Sequence, residues 1–260
     1  MGELTRPRAL LLDFGGVVVT TTGKPGWHER LAGEIAGRLD RIPGVGLPAG
    51  RIAVDIRNGA DADSRWKDAM SRPAEPRELT HREFWADFVA ADWPAPARAW
   101  VTVEATALCR RMGELRRDRE FRPGLAGLLD AADAHGVPVG VVSNALCGIV
   151  HRDHLEHGGL SGRFAVQVYS DEVGIRKPNP RILGLAAEAL GVPVGSAWYV
   201  GDNYDRDVLC ARRAGAGAAI LVEDDGTFCP PYPPQVAPDV QVPDLAALHR
   251  LLDTTCKGRP

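Results

Sequence analysis

The hydrophobic residues of the 260-residue chain fall into short runs, and the first of these runs ends on an acid. Residues 8–14 read RALLLDF and precede a glycine pair, which predicts a buried strand that closes on Asp13 and then turns. After residue 121, segments of strand length alternate with segments of helical periodicity. The predicted strands there are VPVGVVSNA, FAVQVYSDEVG, AWYVGDN and GAAILV. This alternation predicts an α/β fold with a doubly wound, mostly parallel sheet that carries helices on both faces.

A helical segment separates the first strand from the rest of that sheet. Its predicted helices are WHERLAGEIAGRL, DSRWKDAMS, HREFWADFVAADW and ARAWVTVEATALCRRMGEL, with proline- and glycine-rich breaks between them. Thr80, followed three residues later by Glu83, predicts a capping box. An insertion of roughly 90 residues is too long for a structureless loop. We therefore expect a sheet domain of residues 1–22 and 117–260 and a helical domain of residues 23–116.

Composition and charge exclude several classes of partner. Apolar residues make up 45% of the chain and charged residues 25%, and the net charge of −3 gives no reason to expect nucleic acid or an anionic membrane. No run of about 18 apolar residues occurs. The cysteines are scattered without a C-x-x-C pair, so we expect reduced thiols and a cytoplasmic location. We also expect a monomer or homodimer. These cysteines are Cys109, Cys147, Cys210, Cys229 and Cys256.

Polar residues that suit phosphate chemistry stand at the predicted strand ends. They are Asp13 after the first strand, Ser143 and Asn144 in VVSN, Lys177 in the loop GIRKPNP, and Asp202 and Asp207 in YVGDNYDRD. Taken singly, each has a simpler interpretation as a turn residue, a helix-terminal charge or a surface charge. Ligands bind where the carboxyl ends of parallel strands meet, so the set as a whole predicts one site.

These residue types suit phosphoryl transfer through a carboxylate. Asp13 can attack phosphorus and form an aspartyl-phosphate, which divides one difficult step into two. Mg²⁺ prefers oxygen ligands, which Asp13 and Asp202 supply, and it offsets the repulsion between nucleophile and phosphate. Ser143 can donate a hydrogen bond to a phosphoryl oxygen, and Lys177 can neutralise charge on the phosphoryl group and on Asp13.

The chain resembles the haloacid dehalogenase superfamily, in the branch with a helical cap between the first two motifs. Its four signature segments stand in order as LLLDFGGV, VVSNA, SDEVGIRKPNP and YVGDNYDRDVLCARRAG. The resemblance implies a Rossmann-like core with an inserted α-helical cap domain. For the site, it implies Asp13 and Lys177 as catalytic residues, Ser143 and Asn144 at the substrate, Mg²⁺ held by Asp13, the Gly15 carbonyl and Asp202, and Asp207 in support.

Position 15 departs from the D-x-D pattern of most phosphatases in that superfamily. Gly15 keeps a carbonyl for the metal but cannot protonate the leaving oxygen or activate water, help that is typically worth roughly 10²–10⁴-fold. Three functions remain open. The retained Asp13, Lys177 and Asp202 favour a Mg²⁺-dependent hydrolase of a small phosphorylated metabolite. The alternatives are a weak or inactive phospho-ligand binder and a metal-independent haloacid dehalogenase, because haloacid-cleaving relatives also lack the second Asp.

The helical domain offers fewer clues. Lys24, His28 and Lys67 are candidates for reaching the cleft, although charges on such helices usually face solvent. The tryptophans of this domain are expected to pack its interior, with one or two over an organic substrate as the alternative. They are Trp27, Trp66, Trp85, Trp93 and Trp100.

Overall fold

A six-stranded parallel sheet forms the centre of the computed structural model, which describes residues 4–224 and 236–258. In chain order, the strands of this part are β1 (Ala9–Leu12), β2 (Val19–Gly23), β3 (Arg117–Phe121), β4 (Val139–Ser143), β5 (Val166–Tyr169), β6 (Ala197–Gly201), β7 (Ala218–Val222) and β8 (Val240–Val242). The central sheet has the order β5-β4-β1-β6-β7-β8. Strands β2 and β3 flank the helical insertion and pair with each other in a separate two-stranded antiparallel sheet, here called the β2–β3 hairpin. This order places the first strand of the chain between β4 and β6.

Helices occupy most of the remaining described chain. Those between β2 and β3 are α1 (Trp27–Leu39), α2 (Ala49–Ala69), α3 (His81–Glu83), which continues as a π-helical turn over Phe84–Val89, α4 (Ala95–Val103) and α5 (Ala105–Arg116). Those after β3 are α6 (Leu125–Ala134), α7 (Gly148–His157), α8 (Ser170–Val173), α9 (Arg181–Ala189), α10 (Leu209–Ala214) and α11 (Leu245–Lys257). None of these helices combines the length and apolar character needed to cross a bilayer.

Both faces of the sheet are covered, which explains the apolar runs of its strands. Every residue of β1, β4, β6 and β7 is buried. On one face, Leu10 packs in a cluster with Leu128 of α6 and Leu248 of α11. On the other face, Leu11 packs in a cluster with Leu183 of α9. The predicted doubly wound α/β fold is confirmed.

The helical insertion between β2 and β3, here called the cap, has a hydrophobic core of its own. Leu31 of α1, Ile56 of α2 and Val101 of α4 belong to one buried cluster. Val150 of α7 joins the same cluster, so the cap packs against the sheet domain along that helix. The β2–β3 hairpin carries the chain into and out of the cap. We propose the division at residues 22/23 and 116/117 as the domain boundary, which leaves nearly all of this hairpin with the sheet domain.

The cap also contacts the sheet domain through residues 72–79, here called the cap anchor. The backbone N–H of Glu78 donates to the carbonyl of Gly174 at 3.0 Å. Its carboxylate accepts from Arg176 Nη1 at 2.7 Å and from the hydroxyl of Ser170. The Glu78 and Arg176 side chains are each only 1% exposed, so this is a buried ion pair. The anchor therefore attaches the cap immediately before Lys177.

The structure corrects the sequence prediction within the cap and at the edges of the sheet. Helix α2 begins at Ala49, whereas the pattern predicts a helix only from Asp63, because residues 49–62 mix polar and small residues that obscure the period. The segment predicted as one helix after Pro96 is divided at Glu104 into α4 and α5. The hairpin is also absent from the prediction, since β2 and β3 are mostly polar and partly exposed. Strand β8 is absent as well, since it has only three residues.

Other local predictions are confirmed. Thr80 and Glu83 form the predicted capping box, in which Glu83 N donates to Thr80 Oγ1 at 3.1 Å and Thr80 N donates to Glu83 Oε2 at 2.9 Å. Near the C-terminus, the amphipathic segment LAALHRLLDTTCK forms α11, with Asp244 as its N-cap. Cysteines 109, 147, 210 and 256 are free thiols. Cys229 and the loop segment GTFCPPYPP lie outside the described residues.

Candidate active site

The predicted site residues meet at one edge of the sheet. Strands β4, β1 and β6 are parallel neighbours, so the residues at their carboxyl ends lie side by side. A cavity of about 660 Å³ opens at this edge. Its lining includes the predicted residues Asp13, Gly15, Ser143, Asn144, Lys177 and Asp202. Asp207, the remaining predicted residue, is buried and bonded to Lys177.

Lys177 joins two of the carboxylates. Its Nζ lies 2.8 Å from Asp13 Oδ1 and 2.7 Å from Asp207 Oδ1, and it donates to the hydroxyl of Tyr199 at 2.8 Å. Tyr199 in turn donates to Asp207 Oδ1 at 2.9 Å. Burial by itself lowers the pKa of the Lys177 ammonium, but Asp13 and Asp207 outweigh it and raise that pKa. The ammonium is therefore charged and fixed beside Asp13.

Asn144 positions the Lys177 loop. Its Oδ1 accepts from the backbone N–H of Lys177 at 2.7 Å, and its Nδ2 donates to the Lys177 carbonyl at 3.0 Å. The amide of Asn144 is therefore engaged with the chain itself. Ser143 ends β4 in the cavity wall and is 3% exposed. The contacts of both residues with substrate remain predictions.

The three carboxylates crowd one another. Asp13, Asp202 and Asp207 offer oxygens that all lie within 4.8 Å of one another. Burial raises the pKa of Asp202 to about 8, with further contributions from Asp207 and Asp13. Burial also raises the pKa of Asp13, against the effect of Lys177. The pKa of Asp207 is lowered, because Lys177 overcomes the cost of its burial. If all three were ionised, they would carry more negative charge than one lysine neutralises.

This donor set fits a divalent cation. Asp207 uses both oxygens on the protein, since Oδ1 binds Lys177 and Tyr199 and Oδ2 accepts from Asn203 N at 3.1 Å. Among the described residues, no hydrogen bond reaches Asp13 Oδ2 or either oxygen of Asp202. Carboxylate oxygens with excess negative charge are what Mg²⁺ binds in proteins. Asp13 and Asp202 are therefore the candidate ligands, together with the predicted carbonyl of Gly15.

The glycine pair after Asp13 has two different explanations. Gly16 has φ of +74°, and a Cβ there would lie 2.2 Å from Asp202 Oδ2, so only glycine fits beside that carboxylate. Gly15 does not have a positive φ, and a Cβ at this position would meet no atom within 4 Å. The backbone therefore leaves room for a side chain at position 15, where the D-x-D pattern would place its second Asp.

Of the three candidate cations of the cap, only Lys67 lies near the site among the described lining residues. Lys24 pairs with Asp118 at 2.6 Å, His28 pairs with Glu29 at 3.0 Å, and neither belongs to the described lining of this cavity. Lys67 lines an adjoining cavity of about 260 Å³. The cap tryptophans belong to or pack against its hydrophobic core, in agreement with the packing interpretation.

The site also contains residues that the sequence interpretation missed. Arg117 and Arg119 of β3 and Arg206 line the cavity, as does His151, whose ring stacks on Phe14 at 4.2 Å. Burial, and then the charge of Arg119, lower the pKa of His151 to about 3, so its ring is neutral at physiological pH. The run RRDREFR, at residues 116–122, is the sequence signal for Arg117 and Arg119, but its position at a predicted domain boundary does not by itself place it at the site.

Comparisons with known proteins identify relatives of this chain. The phosphoserine phosphatase of Thermus thermophilus is 35% identical over 130 residues, which are 50% of each chain. The chain thus spans about half the length of this curated relative. A structure of a HAD phosphatase from Thermococcus onnurineus matches with a TM-score of 0.62 at 20% identity, over 94% of this chain and 97% of that one.

A dehalogenase shares the same fold. The 2-haloacid dehalogenase of Pseudomonas syringae pv. Tomato matches with a TM-score of 0.59 at 19% identity, over 96% of this chain and 99% of that one. At such identities these two structures establish the fold alone. The sequence of residues 7–215 matches the family of haloacid dehalogenase-like hydrolases, and these residues include the strand ends that form the cavity. The chain therefore belongs to the haloacid dehalogenase-like hydrolase family.

Proposed function

We propose that the protein is a Mg²⁺-dependent phosphomonoesterase that acts on a small phosphorylated metabolite through an aspartyl-phosphate on Asp13. The observation that carries the proposal is the arrangement of Lys177 Nζ, 2.8 Å from Asp13, with Asp202 on the same cavity wall. The three clustered carboxylates, Asp13 among them, suit a metal cation, and that cation would in turn allow a negatively charged phosphate to bind beside them. The similarity to a phosphatase named for phosphoserine supports the same class of substrate.

In the first step, one carboxylate oxygen of Asp13 attacks phosphorus, and the ester oxygen leaves with the electron pair of the broken P–O bond. Lys177 neutralises charge on Asp13 and on the phosphoryl oxygens, and Ser143 donates a hydrogen bond to one of those oxygens. Mg²⁺ held by Asp13, Asp202 and the Gly15 carbonyl would supply further neutralisation of the phosphoryl charge. Water then hydrolyses the aspartyl-phosphate, which releases inorganic phosphate and restores the Asp13 carboxylate.

Gly15 supplies no proton for the leaving oxygen. The departing group therefore takes its proton from water, and its basicity controls the barrier. We expect aryl, acyl and anomeric phosphates to react faster than primary alkyl phosphates. The second step also lacks the usual base, so the aspartyl-phosphate is expected to accumulate and produce a burst.

The proposal is tested with 4-nitrophenyl phosphate in the presence of Mg²⁺ or excess EDTA. Turnover should require the metal, and Asp13→Asn should abolish it while leaving the fold intact, as circular dichroism and cooperative unfolding would show. Asp130→Asn is the matched control, because Asp130 is 71% exposed and pairs only on the surface with Arg163. Full hydrolysis in EDTA would contradict the metal requirement. Halide release from a 2-haloacid would instead support the dehalogenase alternative.

Such an enzyme is expected in the cytoplasm, as a monomer or homodimer. The four free thiols among the described cysteines support a reducing environment.

A further inference from the structure

The cavity next to the active site is lined by cations. This cavity of about 260 Å³, here called the basic chamber, shares Asn144, His151, Arg117, Arg119 and Arg206 with the lining of the active-site cavity. One small molecule can therefore extend from one into the other. The cationic side chains of the chamber are Lys67, Arg116, Arg117, Arg119, Arg176 and Arg206. Its described lining contains no aspartate or glutamate.

Most of these cations have no carboxylate partner. Lys67 pairs with Asp63, and Arg176 pairs with Glu78. The other four arginines form no ion pair within the part of the chain that the structure describes. Arg117 donates to the hydroxyl of Thr21, and Arg119 donates to backbone carbonyls. Such uncompensated charge is unexpected for packing alone in a chain whose net charge is −3.

Burial makes this arrangement costly without a ligand. Arg176 is 1% exposed, and its Nε is buried without a hydrogen-bond partner among the described residues. Burial, and then the charge of Arg117, lower the pKa of both Arg116 and Arg119. An anion in the chamber would relieve both the desolvation and the repulsion. Guanidinium groups are suited to it, because their planar N–H donors match carboxylate and phosphate oxygens.

We propose that the basic chamber binds a second anionic group of the substrate, a carboxylate or a phosphate, while the scissile phosphoryl group lies at Asp13. The cavity, at about 260 Å³, has room for such a group and for the atoms that link it to the scissile phosphate. This inference rests on the proposed phosphomonoesterase function and specifies the class of its substrate. The metabolite would accordingly be a phosphocarboxylate or a bisphosphate rather than a neutral phosphorylated alcohol or sugar.

The test uses aryl phosphates with and without a second charge, and reads the effect of that charge from KM. Phenyl phosphate is compared with its 3- and 4-carboxy derivatives and its 3- and 4-phosphono derivatives, each with excess Mg²⁺. We expect kcat/KM to be about 10- to 100-fold higher for at least one charged derivative, mainly through KM, as hydrogen bonds to a charged group imply. The carboxy and phosphono arms distinguish the two kinds of anion.

Two further measurements test whether the preference for a second negative charge comes from the basic chamber. Arg116→Gln should reduce the ratio of kcat/KM between charged and neutral substrates by about 10-fold. Arg111→Gln is the control on the same helix, since Arg111 pairs with Glu34 on the outer surface, and it should leave the ratio unchanged. In the wild-type protein, the ratio should fall as NaCl is raised. This salt readout does not depend on the folding of a variant.

The possible failures are distinguishable. If no phenyl phosphate derivative is hydrolysed, the proposed phosphatase function is wrong. If phenyl phosphate is hydrolysed but no charged derivative is preferred, the function stands and the second-anion site is overturned. A preference that Arg116→Gln leaves intact would also overturn the assignment to this chamber.

Discussion

The ammonium of Lys177 lies 2.7 Å from Asp207 Oδ1, and both side chains are only 1% exposed. Asp207 receives two further hydrogen bonds, from Tyr199 and from the backbone of Asn203. It therefore holds the lysine in place without itself being free to bind a ligand. The position of the ammonium against Asp13 follows from this buried contact.

Removing the ammonium should leave a cluster of buried carboxylates without a cation. We expect Lys177→Met to abolish phosphatase activity and to lower the free energy of unfolding by roughly 3–5 kcal/mol at neutral pH, the usual cost of breaking a buried ion pair. Urea denaturation measures this change. The loss should be smaller at low pH, because protonated carboxyl groups no longer need the cation.

Lys257→Met is the matched control for that experiment. Lys257 pairs with Asp253 on the surface and is 64% exposed, so its loss should change the free energy of unfolding far less than the loss of Lys177. Equal effects of the two substitutions would contradict the role assigned to the Lys177 contacts.

The metal-free protein should become less stable as pH rises. The pKa of Asp202 is about 8 in the folded protein, compared with about 3.9 in an unfolded chain. Between these values the folded state binds more protons at Asp202 than the unfolded state, so the free energy of unfolding falls with increasing pH. In EDTA, the melting temperature of the wild type relative to Asp202→Asn should therefore decrease from about pH 5 to about pH 8.

Mg²⁺ should reverse this trend, since the metal competes with the proton for Asp202. Its stabilising effect should be larger at about pH 8 than at about pH 5. A wild-type melting temperature that keeps a constant offset from Asp202→Asn at all pH values would show that this carboxyl group is not perturbed.

Gly15→Asp should restore the missing acid. Because a Cβ at this position meets no atom within 4 Å and φ is not positive, the substitution is expected to fold normally. The variant should hydrolyse alkyl phosphates faster by up to about 10²-fold, with a smaller gain for aryl phosphates. The measurement is kcat/KM over a series of leaving groups, and Gly15→Ala controls for the added carbon.

A flat dependence on leaving-group basicity in the wild type would mean that another residue donates the proton. Lys24 and His28 lie outside the described cavity lining, whereas Asp224 belongs to it. Asp224→Asn is then the substitution to examine.

Gly16→Ala should behave differently from Gly15→Ala. Its left-handed backbone, with φ of +74°, disfavours any side chain, at a cost of roughly 1–3 kcal/mol. In addition, the new methyl group would displace Asp202, so Mg²⁺ affinity should fall. Thermal melts with and without Mg²⁺ measure both effects. Equal melting temperatures for the two alanine variants would refute this explanation of the glycine pair.

The strand ends could be predicted from the sequence because they depend on local patterns. Short apolar runs predicted β1, β4 and β6, and parallel topology then brought Asp13, Ser143 and Asp202 together. The capping box at Thr80 is equally local. These features need no knowledge of which distant segments touch.

The hairpin and the basic chamber could not be predicted in this way. Residues of β2 and β3 pair across roughly 100 positions of chain, and their polar sequences give no alternation that indicates a strand. Arg117 and Arg119 line the site only because that pairing places β3 beside the cavity. Arg206 and Lys67 reach the chamber from separate domains, so their proximity depends on how the cap packs.

The cap anchor limits how far the cap can be treated as an exchangeable module. A cut at the hairpin alone would remove Glu78 together with the cap and leave the buried guanidinium of Arg176 without its carboxylate. Arg176 is the residue before Lys177, so the loss of this ion pair would destabilise the loop that carries Lys177. A chimera that grafts another cap onto this sheet domain should therefore import residues 170–176 along with it. In this chain, the cap and the loop that carries Lys177 therefore have to be exchanged together.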